Sequence, residues 1–231
     1  MAKGLFITGT GTDVGKTYVT ALIVKKLREA GVNAGYYKAA LSGAERRGGR
    51  LIPGDAEFVY RTAGLAGDPA EAVSYIYERP YSPHLAARLA GGRFRMEAVR
   101  EDFKRLSERY DLLAVEGSGG IVCPISCGEG QRVMLADIVT ELGLPAVVVS
   151  DSGLGAINAA VLTVSYLRAR GIEPRAVIMN NWAAGGVIEE DNRKMIETLA
   201  EVPVAALVAR GAKDIGIGAS ALLKLYGRGR L

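Results

Sequence analysis

The stretch Leu5-Phe6-Ile7-Thr8-Gly9-Thr10-Gly11-Thr12-Asp13-Val14-Gly15-Lys16-Thr17 decides how the rest of the chain is read. Leu5 to Thr8 form a short apolar run of strand type, residues 9–15 are rich in glycine and threonine, and residues 16–30 carry a helical pattern that stops at Gly31. Strand, glycine-rich turn and helix in that order make consecutive backbone N–H groups and a helix N-terminus face an anion such as phosphate. Lys16 adds a mobile charge, and Thr17 adds a hydroxyl of the kind that holds Mg²⁺. The stretch departs from the strict phosphate-loop pattern G-x-x-x-x-G-K-S/T at one place. Thr10 stands where the first glycine belongs, and the glycine comes one residue earlier. A dinucleotide-type turn fits worse: Val14 takes the place of its third glycine, and the second strand ends in Tyr36-Tyr37-Lys38 with no ribose-binding acid.

Outward from that loop, apolar runs at residues 34–37, 112–116, 146–150, 176–180 and 204–208 read as buried strands. Segments 56–62, 84–89, 96–109, 134–142, 156–170 and 189–200 read as the helices between them. The alternation predicts an α/β doubly wound fold: a mostly parallel sheet flanked by helices on both faces, P-loop NTPase-like in its opening unit. With no internal repeat and no linker, residues 1–231 are expected to form a single domain. Ligands of such sheets bind beyond the carboxyl ends of the strands, so the residues just after Thr8, Tyr37, Val115, Ser150 and Met179 are expected to converge. The longest stretch without periodicity, residues 39–55, is expected to be an irregular, functional loop. A weak helix at 219–226 and a basic end close the chain.

Composition narrows the partners. Hydrophobic residues make up 49% and charged residues 23%, enough for a sizeable core without disulfides or metals. No apolar run reaches the roughly 18 to 20 residues of a membrane helix, and Met1-Ala2-Lys3 leads straight into a strand without a signal-peptide pattern, so no membrane contact and a cytoplasmic location are expected. The net charge of +4 is spread along the chain without a cationic block, which favours a phosphate-bearing small molecule over nucleic acid. Cys123 and Cys127 lack the further thiolates or histidines of a metal cluster and read as structural or incidental.

A divalent ion on nucleotide phosphates takes a hydroxyl, one or two carboxylates and water. Glu116 ends an apolar strand and precedes Gly117-Ser118-Gly119-Gly120, a place where backbone can approach a ligand. Asp55, in Pro53-Gly54-Asp55-Ala56, reads on its own as a cap for the helix from Ala56. Lys38, at the end of the second strand, is either a surface lysine or a neighbour of the phosphate loop. His84, the only histidine, follows Ser82-Pro83 and reads as a helix-start residue. Tyr81 and Pro83 are candidates to line an aliphatic chain.

Taken together, residues 9–17, Tyr37-Lys38 with Ser42-Gly43, Asp55, Ser82-Pro83-His84, residues 116–120 and Leu154-Gly155-Ala156-Ile157-Asn158 resemble the ordered motifs of the ATP-dependent dethiobiotin synthetases. The resemblance spans nearly the whole chain. It implies a ligase that joins 7,8-diaminononanoate, CO2 and ATP into dethiobiotin, ADP and phosphate through a carbamate and a carbamic-phosphoric anhydride. It also implies roles. Lys38 and Lys16 match the catalytic lysines, and Thr17, Asp55 and Glu116 match the Mg²⁺ ligands. Thr12, Asp13, Val14, Gly15, Gly117, Ser118, Gly119 and Asn180 match the nucleotide site, with Asn180 facing the base. Ser42 and Gly119 match substrate contacts, as do Gly155, Ala156 and Asn158, which the resemblance places on the mate of a homodimer. Ala39 and Ala159 depart from the proline and histidine that many relatives carry.

Two other classes remain open on the residues alone. A P-loop ATPase switch that works on a partner surface usually carries a further lysine at the start of the loop, where this chain has Thr10 and Gly11. Another ligase on the same fold would share the phosphate contacts and differ around Ser42 and Gly155.

Overall fold

The computed structural model describes residues 2–128 and 130–228. In chain order its elements begin with β1 (Lys3–Gly9), α1 (Lys16–Glu29), β2 (Ala34–Ser42), β3 (Glu45–Arg47), β4 (Arg50–Ile52) and α2 (Gly54–Ala63). There follow a short 3-10 turn at Pro69–Ala72, β5 (Val73–Tyr77), α3 (Pro83–Leu89), α4 (Met96–Arg109), β6 (Leu112–Glu116), β7 (Pro124–Gly128) and β8 (Gln131–Met134). The remainder is α5 (Leu135–Leu142), β9 (Ala146–Asp151), α6 (Ala156–Ala169), β10 (Pro174–Trp182), α7 (Val187–Ala200), β11 (Val204–Ala209), α8 (Ala219–Leu223) and β12 (Gly227–Arg228).

Seven parallel strands form the sheet in the order β11-β10-β9-β1-β6-β2-β5, with β12 running antiparallel beside the start of β1. Alternation along a strand sends successive side chains to opposite faces. Leu5 and Ile7 of β1 pack with Leu22, Ile23 and Leu27 of α1 and with Val59 of α2 on one face. Phe6 packs on the other face with Phe103 and Leu106 of α4, Ile138 of α5 and Val164 of α6. Both faces are apolar because both are covered, and each fully buried Leu, Ile or Phe contributes on the order of 1.5–3 kcal/mol, which is why such strands read as continuous apolar runs. The expected fold is therefore the observed one. No helix among the described residues is long and apolar enough to cross a membrane.

The differences lie at the margins of the sheet. The stretch 39–55, expected to be irregular, instead extends β2 to Ser42 and then folds into the β3–β4 hairpin before α2 starts at Gly54. β5 escapes the apolar-run criterion because it is an edge strand, paired only with β2, and Ser74, Tyr75 and Ile76 are half-buried. The helix expected over 219–226 ends at Leu223; residues 229–231 of the basic end lie outside the described residues.

Candidate active site

The cleft opens where β1, β2 and β6 end. After Gly9 the chain forms the glycine-threonine loop and enters α1, whose N-terminal flank is Gly15 at φ 90°. That left-handed conformation favours glycine, and a Cβ there would fall 2.1 Å from Asn180 Nδ2. The same Nδ2 donates to the carbonyl of Val14 at 3.0 Å, so Asn180, buried at the end of β10, braces the loop from behind. Lys16 folds back over the loop and donates from Nζ to the Gly11 carbonyl at 2.7 Å. Burial, and then the charge of Lys38, lower its pKa below the ordinary lysine value, while Glu116, Asp55 and Asp13 pull the other way. A buried ammonium satisfied by one carbonyl gains from meeting an anion.

Lys38 and Glu116 are register partners on β2 and β6, which puts both side chains on the same face, directly opposite each other. Lys38 Nζ donates to Glu116 Oε1 at 2.6 Å and to Asp55 Oδ2 at 2.5 Å. Thr17 Oγ1 donates to the same Oε1 at 2.7 Å, and the Tyr36 hydroxyl donates to Oε2 at 2.9 Å. Lys38 is 4% exposed and Glu116 1%. Burial works against the Lys38 charge, but the adjoining Glu116 and Asp55 outweigh it and hold the pKa above the ordinary lysine value. Burial, and then the Glu116 charge, push the Tyr36 phenol well above its usual range, which keeps it a donor.

Asp55 does not cap α2. The helix begins at Gly54, two residues before the expected start at Ala56, so Asp55 lies in its first turn and its carboxylate is free to accept from Lys38. The oxygens of Thr17, Asp55 and Glu116 thus gather around one corner, two carboxylates and a hydroxyl. An all-oxygen set of this kind suits a hard cation such as Mg²⁺, which keeps several waters and takes only one or two carboxylates.

These groups line a cleft of about 1090 Å³. Thr12, Asp13, Gly15, Lys16 and Thr17 form its phosphate-loop side; Lys38, Ser42, Asp55 and Glu116 form its floor; Ser118 and Gly119 form an edge. The Ser42 hydroxyl is buried and without a hydrogen-bond partner, whereas Ser118 Oγ donates to the Ala40 carbonyl at 2.5 Å and ties two strand ends together. Other expected residues lie off the cleft wall. The Gly117 N–H donates to the Ile7 carbonyl in the sheet, and a Cβ at Gly117 would come within 3.0 Å of Phe6 and Leu135, so its smallness serves packing. Gly155, Ala156 and Asn158, at the start of α6, do not line this cleft in the same chain.

Sequence reasoning missed the far wall: Tyr18, Phe58, Val122, Cys123 and Pro124 stand there with the expected Tyr81 and Pro83. Burial pushes the Cys123 thiol up to about 11, leaving it a protonated, apolar wall group. Tyr36 was missed too, although period-2 spacing from Lys38 was its available signal.

Residues 3–212 match the family model described as an AAA domain. Proteins of a type A strain and of the type F strain Langeland of Clostridium botulinum, both named ATP-dependent dethiobiotin synthetase BioD, are each 48% identical over 226 residues, covering 98% of this chain and 99% of theirs. Among solved structures, the MinC:MinD cell division complex of Aquifex aeolicus aligns with a TM-score of 0.57 at 16% identity, over 92% of this chain and 83% of that one. A ParA family ATPase from Chlorobium tepidum aligns at 0.55 and 11% identity, over 97% and 90%. These two likenesses concern the fold.

Proposed function

Because this chain belongs to the ATP-dependent dethiobiotin synthetase family, we propose that the cleft above is where it closes the ureido ring of dethiobiotin, with Lys38 and Lys16 at its centre. The family's activity is the ATP-dependent, ring-forming ligase step of biotin biosynthesis. The reading of individual residues rests on one observation: a buried ammonium, Lys38, is held between two carboxylates at the mouth of a phosphate loop, in a cleft that an unpartnered buried serine hydroxyl also lines.

In this reading the diamine 7,8-diaminononanoate takes up CO2 as a carbamate, whose oxygen attacks the γ-phosphorus of ATP and expels ADP. The second amine then attacks the mixed-anhydride carbonyl, phosphate leaves with the carbonyl–oxygen electron pair, and the amine gives up its proton. Two anions must meet in the first step, and Lys16 and Lys38 place two positive charges where their repulsion would otherwise oppose it. Ser42 offers its free hydroxyl to the substrate, and Thr12, Asp13, Gly15 and Gly119 line its approach to the phosphates. Holding both amines of one molecule in a single cleft makes ring closure effectively unimolecular. Thr17, Asp55 and Glu116 would hold a Mg²⁺, which when bound lowers the charge on the nucleotide's phosphates. We further take residues 1–231 as one domain at work in the cytoplasm, acting as a homodimer in which residues 155–158 of one protomer serve the other's substrate.

The test combines ATP, Mg²⁺, bicarbonate and the diamine and follows ADP release together with mass detection of the cyclic urea. Diamine-dependent ADP release with one urea per ADP is expected. ATP turnover indifferent to the diamine would refute the reading.

A further inference from the structure

Tyr36 belongs to the charged cluster but has no task in the scheme above. It and Lys38, two apart on β2, share one face of the sheet, while Tyr37 between them points to the other face and bonds Ser74 at 2.7 Å. Tyr36 is fully buried in the core beneath α1 and α2, a costly place for a hydroxyl unless its bond matters. Its bond goes to Glu116 Oε2, at 2.9 Å. The other oxygen, Oε1, receives both Lys38, at 2.6 Å, and Thr17, at 2.7 Å. Two donors converging on Oε1 fix that atom but leave the carboxylate able to turn about it. A third donor, bound to Oε2, fixes the plane.

We propose that Tyr36 is a positioning residue for the cation corner: its hydroxyl locks the plane of the Glu116 carboxylate so that Oε1 faces Thr17 and the phosphate loop. This rests on the reading of Glu116 as a Mg²⁺ ligand. Partners that orient a metal-binding carboxylate commonly change metal affinity about 10- to 100-fold when removed.

The test is a mutant cycle of wild type, Tyr36→Phe, Glu116→Gln and the double variant, with Tyr37→Phe as a control on the other face of the sheet. Mn²⁺ is titrated into each ADP-saturated protein and read by electron paramagnetic resonance, and each protein is melted without metal or nucleotide. Tyr36→Phe is expected to weaken Mn²⁺ binding about 10-fold, Tyr37→Phe to leave it unchanged, and Tyr36→Phe to add less than about twofold in the Glu116→Gln background. In the melts, Glu116→Gln leaves the buried Lys38 with Asp55 as its adjoining carboxylate and is expected to lower stability in either background, while Tyr36→Phe costs less beside the amide than beside the carboxylate. Wild-type Mn²⁺ affinity in Tyr36→Phe, an equal loss in Tyr37→Phe, or a Tyr36→Phe loss of Mn²⁺ affinity that persists in full in the Glu116→Gln background overturns the proposal. Wild-type affinity in Glu116→Gln instead sinks the ligand reading itself, and this inference with it.

Discussion

Lys38 keeps its charge in a place that water barely reaches, and it can do so only because Glu116 and Asp55 face it. Replacing it with methionine keeps the volume and leaves Glu116 buried with hydrogen bonds but no counter-charge. Breaking a buried pair from one side costs about 3–5 kcal/mol, and chemical denaturation of the metal-free Lys38→Met variant should show a loss of that order. The same variant is expected to bind ADP while forming no cyclic urea; retained ring closure would remove Lys38 from the mechanism. The pH dependence follows from the sign of the shift. Since the folded pKa lies above 10.5, the stabilisation Lys38 contributes is fully present below that value and is lost only as pH rises through the higher folded one. The gap in melting temperature between wild type and Lys38→Met should therefore stay level from neutrality to 10.5 and narrow above it. A gap already closing near about pH 8 would contradict the assigned contacts. At this scale the sequence was legible where a charge ended an apolar strand, as at Glu116. It was ambiguous at Asp55, because a two-residue shift in the helix start, from Ala56 to Gly54, decides between a cap and a free carboxylate. Tyr36 was silent, since a tyrosine in a strand looks the same whether its hydroxyl is idle or bonded.

Among elements, the phosphate loop shows how a departure from a pattern is absorbed. Thr10 takes the place of a glycine, yet its N–H bonds the Val149 carbonyl at 2.9 Å and continues the β1–β9 pairing, so the turn begins after it. The glycine that cannot be exchanged is Gly15. Gly15→Ala meets two obstacles: a left-handed backbone, costing about 1–2 kcal/mol for a residue with a Cβ, and the Asn180 amide at 2.1 Å. Titration with a fluorescent ADP analogue should show affinity lost in Gly15→Ala and only partly recovered in Gly15→Ala with Asn180→Ala, because the second change clears the clash and leaves the backbone strain. Complete recovery would mean that the conformation at Gly15 is immaterial. The elements legible in advance were those whose side chains go to the two cores. The β3–β4 hairpin was not, since its strands are short and mostly charged and only Leu51 packs against a core: Arg47 reaches Glu57, Arg46 reaches Glu78 and Arg50 reaches Asp68, all near the surface. Its one signal was Gly48-Gly49, both at positive φ, the two-residue turn that closes a hairpin.

In the whole molecule, the strand order β11-β10-β9-β1-β6-β2-β5 decides which strand ends share a cleft. The rule that ligands sit beyond strand carboxyl ends named five junctions; those of β1, β2 and β6 meet in the cleft, because these strands are adjacent. The junctions after β9 and β10 lie on the other side of β1, and no local pattern encodes that order. The β9 junction builds a separate feature instead. Asn192 on α7 donates to the carbonyls of Ser152, at 2.8 Å, and Gly153, at 2.7 Å, which pins the turn leading into α6. Leu154 in that turn is 89% exposed and Leu162 on α6 61%, a surface left open beside the residues assigned to the partner's substrate. If a two-fold dimer lends residues 155–158 of each protomer to the other's cleft, two defects placed on opposite sides of the shared site must complement. Lys38→Met disables a protomer's own cleft; Asn158→Asp, on the exposed start of α6, sets a negative charge against the substrate's carboxylate in the neighbour's cleft. In a heterodimer of the two, one site carries both defects and the other carries neither. Refolding an equal mixture at random should restore about a quarter of wild-type ring closure, since half the dimers are mixed and half of their sites are intact. Activity no greater than that of the separate variants would place residues 155–158 outside the neighbour's site and require the substrate's carboxylate to be bound within a single chain.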